Sequence, residues 1–183
     1  MSEVKRSWKR RLRDRITAML FERSHRMTLR QAFTWKAWQV LSGSSPGAKW
    51  PIHPSSFVVH ADRIKLGKGS RPGYSCGVYI QAVNGIEVGD YVGVAPGSSI
   101  ISANHDPLNH MKHIPAPPIK LGNHVWICTR AVILPGVELG DNVVVAAGAV
   151  VNKSFPANVI VAGVPAKIVK TLGEPTPDEG TTE

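Results

Sequence analysis

The sequence predicts an all-β solenoid, a parallel β-helix preceded by a helical N-terminal segment, and three observations predict it. From Leu121 onward an aliphatic residue stands at every sixth position: Leu121, Ile127, Ile133, Leu139, Val145 and Val151. A period of six is neither the 3.6 of an amphipathic helix nor the alternation of a half-buried strand. Six-residue units belong to parallel β-helices, in which each unit buries its apolar side only by stacking on its neighbours. The second observation is the corner chemistry. Small residues followed by Asp or Asn, as in Val88-Gly89-Asp90 and Leu139-Gly140-Asp141, suit tight, locally hydrogen-bonded turns. The third is charge. Residues 1–49 hold 12 Lys/Arg against 3 Asp/Glu, whereas residues 50–183 hold 10 of each, so the net +9 sits entirely in the N-terminal segment.

The elements follow in order. Residues 1–47 form a basic helical segment. Val4, Trp8, Leu12, Ile16, Met19 and Leu20 recur at three- and four-residue steps among seven Lys and Arg between positions 5 and 15, which predicts an amphipathic helix. A second helix is predicted from Thr28, as N-cap, to about Leu41, with Gly43 as the stop. Ser42 to Gly47 has the composition of a linker. Residues 48–170 form the repeat body. Its early turns from Phe57 are ragged, with Ile64, Leu66, Val78 and Ile80 as inward candidates and no readable register, and regularity begins at Val88, Val94 and Ile100. Three hexads make one coil of about 18 residues. The period breaks after residue 105. Residues 106–120 contain Pro107, Pro115, Pro117 and Pro118 and are expected to leave the wall as a loop, the place where binding residues concentrate on rigid scaffolds. Residues 171–183, with two prolines and four acids, are expected to be a flexible tail.

Composition excludes some classes. No apolar run approaches the roughly 20 residues of a membrane-spanning helix, and no apolar stretch with a cleavage site marks a secretory signal. Two cysteines, Cys76 and Cys128, form no disulfide framework, which fits a reducing compartment. A cytoplasmic location is the expectation.

The segments Ile100-Ile-Ser-Ala-Asn-His105-Asp, Leu121-Gly-Asn-His-Val-Trp126-Ile, Ala131-Val-Ile-Leu-Pro-Gly-Val137 and Val159-Ile-Val-Ala-Gly-Val-Pro-Ala-Lys167 resemble the hexapeptide-repeat acyltransferases. The nearest pattern is the maltose, galactoside and polysaccharide O-acetyltransferase group, over about residues 57–170. The resemblance implies a left-handed coil, a homotrimer with active sites between subunits, and acetyl-CoA as acyl donor. It also implies a catalytic histidine where a regular coil gives way to the extruded loop, which here is His105. An alcohol attacking a thioester must lose its proton as the new bond forms, and an imidazole suits that task. Asp106 or a backbone carbonyl can hold the ring in one tautomer. Cofactor-lining positions carried over by the resemblance are Trp126, Thr129, Ala147, Gly148, Lys153, Lys167 and Lys170, with Trp126 against the pantetheine arm and the lysines toward phosphates. Each has a plainer reading as a corner residue or solvated surface. Cys128 stands where the family commonly places Gly.

The acceptor is expected to be a carbohydrate, with Asn84 and Tyr79 as candidate contacts and Ser75 and Gln81 as alternatives. Asn84-Gly85 is first of all a turn dipeptide. His105, His110, His113 and His124 invite comparison with the zinc-dependent gamma-class carbonic anhydrases on the same fold. The nearest upstream candidate, His60, lies 45 residues before His105, not a whole number of coils, so no metal is expected. Within the acyltransferases, an N-acyltransferase acting on an amino sugar or a xenobiotic is the alternative, and a non-catalytic scaffold is a third. Residues 1–25 either lie on an anionic membrane surface as a peripheral element or pack on the coil. No nucleic-acid module accompanies the basic segment.

Overall fold

The computed structural model describes residues 28–43, 45 and 47–173. The basic helix expected before Thr28, including the proposed membrane contact of residues 1–25, lies outside the described residues, as does the tail beyond Gly173. Helix α1 (Leu29–Ser42) is closed at its start by a capping box. Thr28 accepts from the Gln31 amide, and the Gln31 side chain accepts from the Thr28 amide. Such a cap is worth about 1 kcal/mol. Gly43 ends the helix in the left-handed region at φ 61°. Trp35 packs edge-on to His53 and against Tyr74, and the Trp38 indole donates to the Pro54 carbonyl at 2.9 Å. The helix is thereby fastened to the first coil.

The body is a three-sided parallel solenoid. The first sheet stacks β1 (Phe57–Val59), β3 (Tyr79–Gln81), β6 (Ser99–Ile101), β11 (Val132–Ile133) and β14 (Val150–Val151). The second stacks β2 (Ile64–Leu66), β4 (Ile86–Val88), β9 (Ile119–Leu121) and β12 (Glu138–Leu139). The third stacks β5 (Gly93–Val94), β10 (Trp126–Ile127), β13 (Val144–Val145) and β15 (Val159–Ala162), and β16 (Lys167–Thr171) closes it antiparallel to β15. Thr171, expected in the tail, is thus the last residue of a strand.

The six-residue series is the core. Ile127, Ile133, Val145 and Val151 are fully buried, and Leu121 and Leu139 nearly so. Each such side chain contributes roughly 1.5–3 kcal/mol on burial. The early inward candidates divide: Val78 and Ile80 are buried, while Ile64 and Leu66 are half-buried against the same cluster.

Corners between the second and third sheets show why the hexad demands Gly. A Cβ on Gly89 would stand 2.6 Å from the Gly122 backbone, so the coils approach too closely for a side chain. The Asp or Asn that follows ties the coils together. Asp141 accepts from the Asn123 amide at 2.7 Å, and Asn123 accepts from the Asp90 amide at 2.9 Å.

The break is narrower and more ordered than a loop. His105–Asp106 (β7) and Asn109–His113 (β8) form an antiparallel hairpin, and Ile119 already lies fully buried in β9, paired with Ile86. The excursion expected at 106–120 therefore closes at Pro118. The reason is the pleat: Ile119 and Leu121 alternate inward on one strand, and a six-residue count anchored at Leu121 passes over its partner two positions earlier.

Candidate active site

His105 opens the hairpin at the corner between the first and second sheets. The chain leading to it is held from below. The buried Gln81 amide accepts from the Ala103 N–H at 3.0 Å and donates to the Ala103 carbonyl at 3.2 Å. Ile114 closes the hairpin by donating to the Asn104 carbonyl at 2.8 Å. The His105 ring is exposed, and its neighbour is His113, the cross-strand partner, with ring centroids 4.4 Å apart and planes tilted by 33°.

Of the two orienting groups expected, Asp106 or a backbone carbonyl, the carboxylate has a partner within the turn. Asp106 accepts from the Leu108 amide at 2.8 Å and so caps the hairpin turn. Gln81, an alternative acceptor contact, is buried under Ala103. Asn84 lies at the same corner one coil below His105, but its Nδ2 hydrogens go to the Ser102 and Ile114 carbonyls at 2.8 and 3.2 Å. It staples the hairpin base, which leaves only its carbonyl oxygen for an acceptor. Tyr79 faces outward on the first sheet, stacked on Phe57 at 6.4 Å. Among the described residues no three metal-ligating side chains converge: His124 sits at another corner, stacked on Tyr91 at 5.3 Å.

The residues matched to donor positions fall into two places. Trp126 is half-exposed on the third sheet and lies against Gly93, where any Cβ would collide with the indole. Thr129, Ala147 and Gly148 are exposed at the adjoining corner, with the Gly148 amide donating to the Thr129 carbonyl at 2.9 Å and open space beside Gly148. Lys167 and Lys170 are exposed on β16 of the same sheet. An apolar ring, an open corner and two exposed cations fit a thioester donor with an apolar arm and phosphates. Lys153 is apart from them, at the corner column of His105, with its ammonium 5.6 Å from the Phe155 ring.

His105 and the residues matched to donor positions around Trp126 therefore lie at different corners of one solenoid. Sequence reasoning missed His113 as the neighbour of His105, since the pairing depends on a hairpin hidden by the prolines. It also missed Gly93 under Trp126, because the excursion makes them 33 residues apart.

Comparison with known proteins gives a consistent result. The family profile described as Bacterial transferase hexapeptide (six repeats) matches residues 118–153. A galactoside O-acetyltransferase of Escherichia coli (strain K12) is 30% identical over 67% of this chain and 61% of its own length, so the match spans less than two thirds of that relative. A protein of the same strain, provisionally named a colanic acid biosynthesis acetyltransferase, is 30% identical over 75% of both chains. The solved structure of a galactoside acetyltransferase in complex with coenzyme A superposes with a TM-score of 0.63 at 27% identity, covering 91% of this chain and 82% of that one. The left-handed parallel β-helix is common to them.

Proposed function

The chain belongs to the hexapeptide-repeat acetyltransferases, which use acetyl-CoA, and from that premise we propose that it acetylates a hydroxyl of a sugar or surface-polysaccharide precursor with His105 as general base. The observation that carries the proposal is the placement of His105. It is an exposed imidazole, backed by a second ring, where the coil opens into a hairpin. The relatives whose names state a galactoside or colanic acid role support the acceptor class.

In this reading His105 takes the proton of the acceptor hydroxyl as that oxygen attacks the thioester carbonyl. The C–S bond breaks, His105 returns the proton to the departing sulfur, and the products are an acetate ester and a free thiol. Trp126 and the Ala147–Gly148 corner position the donor, while Lys167 and Lys170 pair with its phosphates. Since these stand at a different corner from His105, a neighbouring copy in a homotrimer supplies the wall opposite each histidine.

His105→Ala is expected to cut thiol release by about 10²–10⁴-fold, with acetyl-CoA affinity by calorimetry and sedimentation behaviour unchanged. Retained turnover would eliminate the proposed base.

A further inference from the structure

Beneath Trp126, on the side away from β16, the third face of the solenoid holds a groove of ≈ 750 Å³. Its lining includes Lys68, Arg71, Tyr74, Tyr91 and Trp126, and no carboxylate. The rings are fixed by the coil beneath them. Tyr91 lies over Gly69, where a Cβ would stand 2.7 Å from the ring, and its plane is stacked on His124 at 5.3 Å and 19°. The Arg71 guanidinium lies 4.8 Å over Tyr74, and the Lys68 ammonium 5.9 Å from the Tyr91 centroid. Neither cation forms an ion pair among the described residues. The neighbouring Asp90 turns one oxygen onto the Lys68 backbone N–H, a corner bond that does not involve the ammonium.

Direction along the sheet separates this groove from the donor wall. The third sheet runs β5, β10, β13, β15, β16, and Trp126 stands on β10. Thr129, Ala147, Gly148, Lys167 and Lys170 lie from Trp126 toward β16, and the groove lies from Trp126 past β5. A donor laid toward the β16 lysines leaves the opposite side of the indole for the second substrate.

We propose that this groove is the acceptor subsite and that it selects a carbohydrate bearing a negative charge, its ring stacked on Tyr91 and its anionic group held by Lys68 and Arg71. The proposal rests on the acetyltransferase reading. Aromatic faces supply apolar area to a sugar ring without selecting charge. Selection comes from the cations, Arg71 offering a planar fork matched to a carboxylate or phosphoryl group. The anion has two sources, the carboxylate of a uronic acid or the phosphoryl link of an activated sugar.

The test is calorimetry on the full chain saturated with coenzyme A, with two matched pairs of probes: glucuronic acid against glucose, and galactose 1-phosphate against galactose. At least one anionic probe is expected to bind about tenfold more tightly than its neutral partner, and the pair that shows the difference identifies the source. Lys68→Ala with Arg71→Ala is expected to abolish the difference without weakening acetyl-CoA. Tyr91→Ala is expected to weaken both members of a pair alike. Should the alanine pair fail to fold, Lys68→Gln with Arg71→Gln serves instead. Equal affinities within both pairs, or no binding of any probe, would overturn the proposal, as would loss of acetyl-CoA affinity in the double variant. Failure of the unaltered chain to bind acetyl-CoA would sink the acetyltransferase reading and this proposal together, whereas acetyl-CoA binding with charge-blind probes sinks this proposal alone.

Discussion

His113 is the side chain in ring contact with His105, and its effect is expected to be mechanical. A base whose ring wanders loses the alignment on which proton transfer depends. His113→Ala should lower kcat about tenfold while the KM for acetyl-CoA stays fixed, and His113→Phe, which restores a flat neighbour, should recover most of the loss. Steady-state kinetics on the two variants check this. A second residue-scale prediction concerns Gly89. Because a Cβ there would enter the Gly122 backbone, Gly89→Ala should cost about 2–3 kcal/mol, read as a lowered midpoint in chemical denaturation. Of these two residues only the glycine was legible in the sequence, since its corner repeats. His113 meets His105 through a hairpin that appears once and has no period to reveal it.

At the scale of strands, the second sheet carries an alternating column of charge on its outer side. Lys65 pairs with Glu87 at 2.8 Å and Lys120 with Glu138 at 2.7 Å, at facing register positions of β2, β4, β9 and β12. The Lys65 hydrogen bond, then its charge, holds the Glu87 carboxyl below its ordinary 4.5, and the Glu138 hydrogen bond raises Lys120 above its ordinary 10.5. The signs follow from linkage. The Glu87 contribution is present above 4.5 and lost as pH falls through the lower folded value. The Lys120 contribution is full below 10.5 and lost as pH rises through the higher folded value. Melting temperature against pH should therefore decline at both margins. Glu87→Gln should soften the acid decline, and so should molar salt, because these groups face solvent.

The same scale explains what the sequence hid. From β10 to β13 and from β11 to β14 one coil takes 18 residues, and the six-residue series is plain. From β1 to β3 it takes 22, from β3 to β6 it takes 20, and from β6 to β11 it takes 33. The early coils have the same sheets but longer corners. Their register is set by pairing between chain segments and cannot be counted along the sequence.

For the whole molecule, the separation of His105 from Trp126 and the β16 lysines is the fact with most reach. If neighbouring copies complete each site, two inactive variants should rescue one another. His105→Ala mixed with Lys167→Glu and Lys170→Glu should regain about a quarter of the activity of the unaltered protein, the share of random interfaces that join an intact histidine to an intact donor wall. Each variant alone should be inactive, and no recovery on mixing would place the whole site within one chain. The fold and the enzyme class could be read from residues 57–170, and the proposed base is named there from the place where the period breaks. The groove proposed for the acceptor could not, because Lys68, Arg71 and Tyr91 come from the irregular coils and meet only in three dimensions.

A parallel solenoid has no natural end. Its last rung offers the same row of amides and carbonyls as every rung before it, so an open terminus can template the first rung of another molecule and grow into a filament. Strand β16 reverses direction and covers β15 on the third sheet, and helix α1 is fastened by Trp35 and Trp38 near the other end. On the third sheet β16 removes that template, because its antiparallel pairing occupies the edge of β15 that the next rung would need.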